Sequence, residues 1–255
     1  MLNILRRLFP SFFKPAMEMS YSRLNAYRFC PWKYKFIYLD HMHVPPNPAT
    51  SLGLSIHKAL ENYYLNAGRS FDDLMESYDK CWVNEGFVSP QQVQDYFEKG
   101  QRMLENYWAA NKDNDSEVLF LEKEFNFPIG AIRLRGIIDR IDRLKDGSYE
   151  VIDYKTHAEL WSNARVDADL QISLYALACK KALKIEPGTL SFYFMAHDKK
   201  VSTKRTDADI NKAVVLVNET AQKILKSEFT PNTANCPKCD FKQMCEYGNP
   251  RKRQG

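Results

Sequence analysis

Three residues on one short ribbon have types and spacing suited to chemistry. In "GIIDRIDRLKDGSYEVIDYKT" (136–156), Asp139, Asp153 and Lys155 sit among Ile137, Ile138, Val151 and Ile152. A buried charge is costly unless it is paired or bound to a metal. Two carboxylates at close range repel, and a divalent cation removes that repulsion. Oxygen ligands suit a hard ion such as Mg²⁺ or Mn²⁺. Side chains on a strand alternate faces, so Lys155 shares a face with Asp153, where an ammonium can stabilise a developing oxyanion or orient an attacking water. Whether Asp139 joins them depends on the turn. A two-residue Asp146-Gly147 turn pairs position 139 with 154 and sends the two aspartates to opposite faces. A three-residue loop with Gly147 in the left-handed conformation pairs 139 with 153. We expect the odd-length loop, or an equivalent bulge, and a shared metal site; the competing reading is a surface hairpin with solvated charges.

The surrounding segments must position this ribbon. "SYSRLNAYRFCPWKYKFIY" (20–38) reads as a helix capped by Ser20 or Ser22 and interrupted at Cys30-Pro31, and 45–53 reads as a loop. Leu52, Ile56, Leu60 and Tyr64 recur at helical steps, as do Phe71, Leu74, Tyr78 and Trp82, so 70–111 is expected as a helical insertion. Alternation over 117–129, 132–144 and 149–156 predicts three strands. A helix over 168–183, a strand over 188–200 and a helix over 207–225 follow. The order predicts an α/β fold with one mixed central β-sheet flanked by helices.

The 255 residues suit one large domain with a lobe, and 44% hydrophobic content makes the chain globular. A net charge of +4 permits a nucleic-acid partner without arguing for one. No apolar run reaches the roughly 18 residues of a membrane span, and the N-terminus lacks a secretory pattern. No membrane partner and a cytoplasmic location are therefore expected. Of six cysteines, Cys236, Cys239 and Cys245 form Cys-x2-Cys-x5-Cys, and Cys30, also followed by a proline, is the natural fourth ligand of a metal group. Four thiolates suit zinc as well as iron–sulfur. Cys81 and Cys179 lie among apolar helical residues and read as core thiols.

"GIID" followed by "DYK" resembles the catalytic core of the PD-(D/E)XK nuclease superfamily, and more closely its RecB-like branch, which includes AddB-like and CRISPR-associated exonucleases. "GLSIHKALE" is similar to that branch's Gly-x-x-x-His helix, "QISLY" to its Gln-x-x-x-Tyr helix, and "FCPWKYKFIY" to its early Cys-Pro. The likeness runs from about residue 20 to 247. It implies a restriction-endonuclease-like core at 51–225 with the helical insertion at about 70–111. It also implies an Fe–S lobe made of 20–50 and 226–247 that joins both termini, flanked by an N-terminal arm (1–19) and a disordered basic tail (248–255). It implies His57, Asp139 and Asp153 as metal ligands, Lys155 as the catalytic lysine, and Gln171 and Tyr175 as groups that position substrate or lysine. Cys30, Cys236, Cys239 and Cys245 would carry a structural 4Fe-4S cluster, with zinc as the alternative. The imidazole shifts preference toward Mn²⁺, and Glu122 or Glu124 is a possible added ligand.

The implied function is that of a metal-dependent DNA exonuclease. It would act on single strands or free ends in recombination, repair or CRISPR adaptation, with a helicase or CRISPR adaptation proteins as partners. A binding or assembly module of a larger DNA-processing complex is the alternative. Expected phosphate contacts are Lys33, Lys35, Arg133, Arg135, Arg140, Arg143, Lys199, Lys200, Lys204 and Arg205, with Trp32 and Tyr34 available for stacking on bases or for packing in the lobe. No base-reading motif is present, so no sequence specificity is expected.

Overall fold

In a computed structural model of the chain, residues 17–44 and 46–248 are described. Of the expected arm (1–19) and basic tail (248–255), residues 1–16 and 249–255 lie outside them. The chain divides into two compact units, each made of separated stretches of sequence.

Among the described residues, the first unit takes 17–44, 126–136 and 208–248. Strand β1 (Met17–Met19) pairs in parallel with Ile132–Leu134. Helix α1 (Tyr21–Phe29) starts at Ser20, whose hydroxyl caps the Arg23 N–H. The chain extends at Cys30 and restarts as α2 (Pro31–Tyr38), with proline in the first turn. Thus the helix break falls at Cys30-Pro31, as its sequence predicts. The last segment folds onto these helices. Tyr34 is fully buried and stacks on Phe229, the Tyr27 hydroxyl donates to the Glu228 carbonyl, and Trp32 packs edge-on against Tyr247. Tyr34 is therefore a core residue of this unit and cannot stack on a base.

The second unit is Pro46–Phe125 and Ile137–Asp207 among the described residues. Helix α3 (Pro48–Leu65) begins where the sequence predicts a loop, because Asn47 caps it and Pro48 occupies its first turn. Helices α4 (Phe71–Cys81) and α5 (Pro90–Asn111) follow, α4 with a Ser70/Asp73 capping box. Leu52, Ile56, Ala59 and Leu60 of α3 bury against Leu74, Tyr78, Met103, Leu104 and Tyr107, each large side chain contributing about 1.5–3 kcal/mol. Gly100 is required in that packing: a Cβ there would lie 2.0 Å from the Tyr78 hydroxyl.

Strands β2 (Glu117–Ile129), β3 (Ile132–Arg143), β4 (Tyr149–Lys155), β5 (Pro187–Phe194) and β6 (Lys199–Thr203) join β1 in one mixed six-stranded sheet. Its order is β1-β3-β4-β5-β6, with β2 paired to β3. The strand expected over 188–200 is two strands, because the chain takes a 3₁₀ turn at Met195–His197 and a left-handed residue at Asp198. The β4–β5 register aligns Val151, Asp153 and Lys155 with Leu190, Phe192 and Phe194 on one face. Glu150, Ile152 and Tyr154 occupy the other, where Ile152 and Tyr154 join the α3–α5 core. Short α6 (Asn163–Asp167) and α7 (Leu170–Ala178), buried at every position but Gln171, follow β4, and α7 passes into a π-helical turn at Cys179–Leu183. The final helix, α8, spans Asp207–Leu225 as its periodicity predicts.

On the α3–α5 face Arg140 is 2% exposed. It pairs with Asp142 through two 2.5 Å hydrogen bonds, donates to the Tyr107 and Tyr154 hydroxyls, and lies over the Tyr64 ring. The expected phosphate contact at Arg140 is thus an internal ion pair. Breaking such a pair leaves an unpaired buried charge, so the residue is committed to the fold. Several other expected contacts are also engaged: Lys33 with Asp240, Arg143 with Glu117, and Lys200 with Glu150.

Candidate active site

The hairpin turn decides the geometry. Arg143 pairs with Tyr149, and five residues, 144–148, make the loop. Gly147 stands at φ 82°, the left-handed conformation its sequence position calls for. The register runs Ile141↔Val151 and Arg140↔Ile152, which carried one step further sets 139 opposite 153. Both aspartates are buried on one face, at 8% and 2% exposure. The regular ladder stops at Arg140↔Ile152, and past it Asp139 accepts the Tyr154 backbone N–H with its side chain at 2.9 Å.

His57 reaches the ribbon from α3. Gly53, one turn earlier on the same helical face, explains the Gly-x-x-x-His spacing: a Cβ at 53 would lie 3.1 Å from Thr156 Oγ1, so glycine lets the helix close on the end of β4. His57 Nε2 lies 3.0 Å from the Tyr154 carbonyl, and Nδ1 lies 3.3 Å from Asp139 and 3.8 Å from Glu122. One ligand atom from each of His57, Glu122 and Asp139 fits within a 4.8 Å span. Burial alone would lower the His57 pKa. The Asp139 charge, a Glu122 hydrogen bond and the Asp153 charge more than offset it and raise it to about 9. Asp139 is raised by burial first and by Asp153 second, with His57 opposing. Three groups thus crowd into one spot, with a proton held where a cation would serve, and this donor set fits a divalent ion.

Glu122 is the residue that the alternating pattern of 117–129 does not distinguish from Glu124. It carries φ 41° inside β2, an uncommon state for glutamate that costs on the order of 1–3 kcal/mol and turns a strand locally. No local sequence signal announces it.

Asp153 faces a second set of partners. Its Oδ1 accepts from Gln171 Nε2 at 2.8 Å and from the Tyr175 hydroxyl at 3.2 Å, while Oδ2 pairs with Lys155 Nζ at 2.6 Å. Gln171 Oε1 accepts from Lys155 Nζ at 2.8 Å, and Gln171 Nε2 also donates to the Tyr175 hydroxyl at 2.9 Å. Residues 171 and 175 lie one turn apart on α7, whose N-terminus Asp169 caps. Burial, then the charges of Asp153 and Asp139, raises the Tyr175 pKa well above its ordinary value and keeps the phenol a donor. All expected catalytic residues therefore converge. Asp139, His57 and Glu122 form one cluster, and Asp153, Lys155, Gln171 and Tyr175 an adjoining hydrogen-bonded ring.

In the first unit, Cys30, Cys236, Cys239 and Cys245 line one cavity, together with Trp32, Phe36 and Phe241, and all four are free thiols. Asn232 N–H donates to Cys30 Sγ at 3.3 Å, and Asn235 holds the Phe29 carbonyl. The described residues include no three of these sulfurs within 4.8 Å of one another. Cys179, by contrast, is fully buried with its pKa pushed up to about 12 by burial, as a core thiol should be.

A family model of the PD-(D/E)XK nuclease superfamily matches residues 18–246. "Gene 69 protein" of Mycobacterium phage L5 is 24% identical over 89% of this chain and 95% of its own. An ATP-dependent helicase/deoxyribonuclease subunit of Streptococcus agalactiae serotype Ia is 27% identical over 62% of this chain, which spans only 15% of that protein's length. A solved chain described as "Crystal structure of SSO0001" aligns over 86% of this chain and 95% of its own, at 16% identity and a TM-score of 0.38.

Proposed function

The chain belongs to the PD-(D/E)XK nuclease superfamily, and on that premise we propose that it is a metal-dependent deoxyribonuclease that digests single-stranded DNA or DNA ends as an exonuclease. The observation that carries the proposal is the meeting of His57, Glu122 and Asp139 within 4.8 Å, beside the Asp153–Lys155–Gln171 ring. His57, Asp139 and Asp153 are the proposed ligands of Mg²⁺ or Mn²⁺, and Glu122 joins them. Held by these residues, such an ion would supply Lewis-acid chemistry, lowering the charge on a phosphoryl oxygen and the pKa of a water. Lys155 supplies a fixed positive charge for the negative charge that builds on the phosphate oxygens. Gln171 holds that ammonium and the Asp153 carboxylate in a fixed relation, and Tyr175 anchors Asp153 from behind. A helicase is the proposed partner, which the name of the streptococcal relative supports.

The test is release of nucleotides from 5′- and 3′-labelled single strands with Mg²⁺ or Mn²⁺. Wild type is expected to digest the strand and Asp153→Ala to lose at least 100-fold, roughly the loss of one essential electrostatic group. Equal behaviour of the two proteins, or tight binding without cleavage, would remove the nuclease reading.

The four-thiol cavity is the proposed seat of a structural 4Fe-4S cluster, with zinc as the alternative occupant; the gathering of all four thiols around one cavity supports a bound metal group. Iron and sulfide content and visible absorbance of anaerobically purified protein test it; stoichiometric zinc would reverse it.

A further inference from the structure

The loop that leaves Lys155 carries an aromatic group that the hydrolytic site does not use. His157 and Trp161 stack, with ring centroids 5.2 Å apart and planes 28° apart. The Arg165 guanidinium lies 4.1 Å from the Trp161 centroid. Trp161 rests edge-on against Phe192 at 5.2 Å, and the Lys155 ammonium lies 4.7 Å over that same Phe192 ring. Two ring steps therefore join the platform to the proposed catalytic lysine. The outer members are open: His157 is exposed, Arg165 is about half exposed and Leu160 is 37% exposed.

The loop is also preformed. His197 Nε2 meets the Ala158 carbonyl at 2.7 Å, Ser162 caps the Arg165 N–H at 3.3 Å, and Arg165 pairs with Glu159 at 2.5 Å. Partial burial, then the Lys155 charge, lowers the His157 pKa from its ordinary value. An aromatic plug that served only the core would be covered. This one presents an imidazole and a guanidinium to solvent beside the proposed phosphate site. Planar rings and an arginine plane are the surfaces on which unpaired bases stack.

We propose that His157, Trp161 and Arg165 form a stacking platform for an unpaired base of the nucleotide next to the scissile phosphate, which makes a single strand the substrate of this site. The proposal rests on the nuclease reading of the Lys155 site. A base still paired in a duplex cannot offer its face to the platform, whereas a single strand can.

The test measures binding of a fluorescent single-stranded oligonucleotide by the full chain in a Lys155→Ala background, which blocks cleavage. Adding Trp161→Ala or His157→Ala is expected to weaken binding roughly 5- to 150-fold, the range for loss of one stacked base. Trp161→Phe should restore most of it. An abasic residue is then walked along the strand. One position should weaken the Lys155→Ala protein by a similar factor and leave the Trp161→Ala protein indifferent, a coupling that a purely structural role does not produce. Should Trp161→Ala unfold by circular dichroism, the exposed His157→Ala carries the test. Unchanged affinity in His157→Ala, or abasic penalties equal in both proteins at every position, overturns the platform and leaves the nuclease reading standing. Failure of wild type to bind or digest any DNA overturns both.

Discussion

Glu122 carries the sharpest single-residue prediction. Its backbone sits in a strained conformation and its carboxylate points at His57 and Asp139, so it adds negative charge where Asp139 already holds a raised pKa. Glu122→Gln keeps the shape and removes that charge. It is expected to weaken Mn²⁺ binding at least tenfold in calorimetry while leaving the melting temperature of metal-free protein unchanged or higher. The protons in this cluster give a second prediction. His57 binds its proton more tightly in the fold, with a pKa raised from 6.5 to about 9. That stability is complete below pH 6.5 and is lost as pH rises through 9. Asp139 is raised too, so it acts in the same direction at lower pH. Metal-free protein in chelator should therefore melt at falling temperature from pH 6.5 to 9, and His57→Gln should flatten the slope. A divalent ion should stabilise more as pH rises, because its ligands must shed their protons.

Elements, not single residues, bring these groups together. The β3–β4 loop of five residues holds the register in which 139 faces 153. A one-residue slip sends every side chain to the opposite face. Deleting Gly147 shortens the loop to an even length, and it should abolish divalent-ion binding in calorimetry while far-ultraviolet circular dichroism stays close to wild type. Helix α7 supplies the matching half: Gln171 and Tyr175, one turn apart, hold Asp153 and Lys155 from the face opposite the α3–α5 core. The buried Arg140–Asp142 pair and its tyrosines stiffen that core beneath Tyr154, whose carbonyl meets His57.

Across the molecule, segments far apart in sequence share one unit. Cys30 and the Cys236–Cys245 run border the same cavity, so a group bound to all four closes most of the chain into a loop. Cross-linking so long a loop removes unfolded-state entropy worth about 5 kcal/mol, by analogy with a disulfide. Cys30→Ser is expected to lower the thermal midpoint and release iron, while the active-site residues, all in the other unit, keep their arrangement. Scanning calorimetry with iron analysis checks both effects.

The helices and strands were largely legible in the sequence, because 3.6- and 2-residue periods and their caps are local properties; α8 and the break at Cys30-Pro31 follow from them directly. Asp139, Asp153 and Lys155 stood out in the sequence as polar residues set in apolar strands, whereas His57, Gln171 and Tyr175 were singled out only by the family resemblance. The hairpin register could be narrowed to two options by the Asp146-Gly147 pair. Only the fold chose between them. Tertiary structure alone decided that Arg140 is internal, that Tyr34 is core, and that Glu122 rather than Glu124 turns toward the imidazole. Each of these outcomes depends on which distant segment covers a side chain or bends its strand, and burial and backbone strain are set by contacts between residues the sequence places far apart.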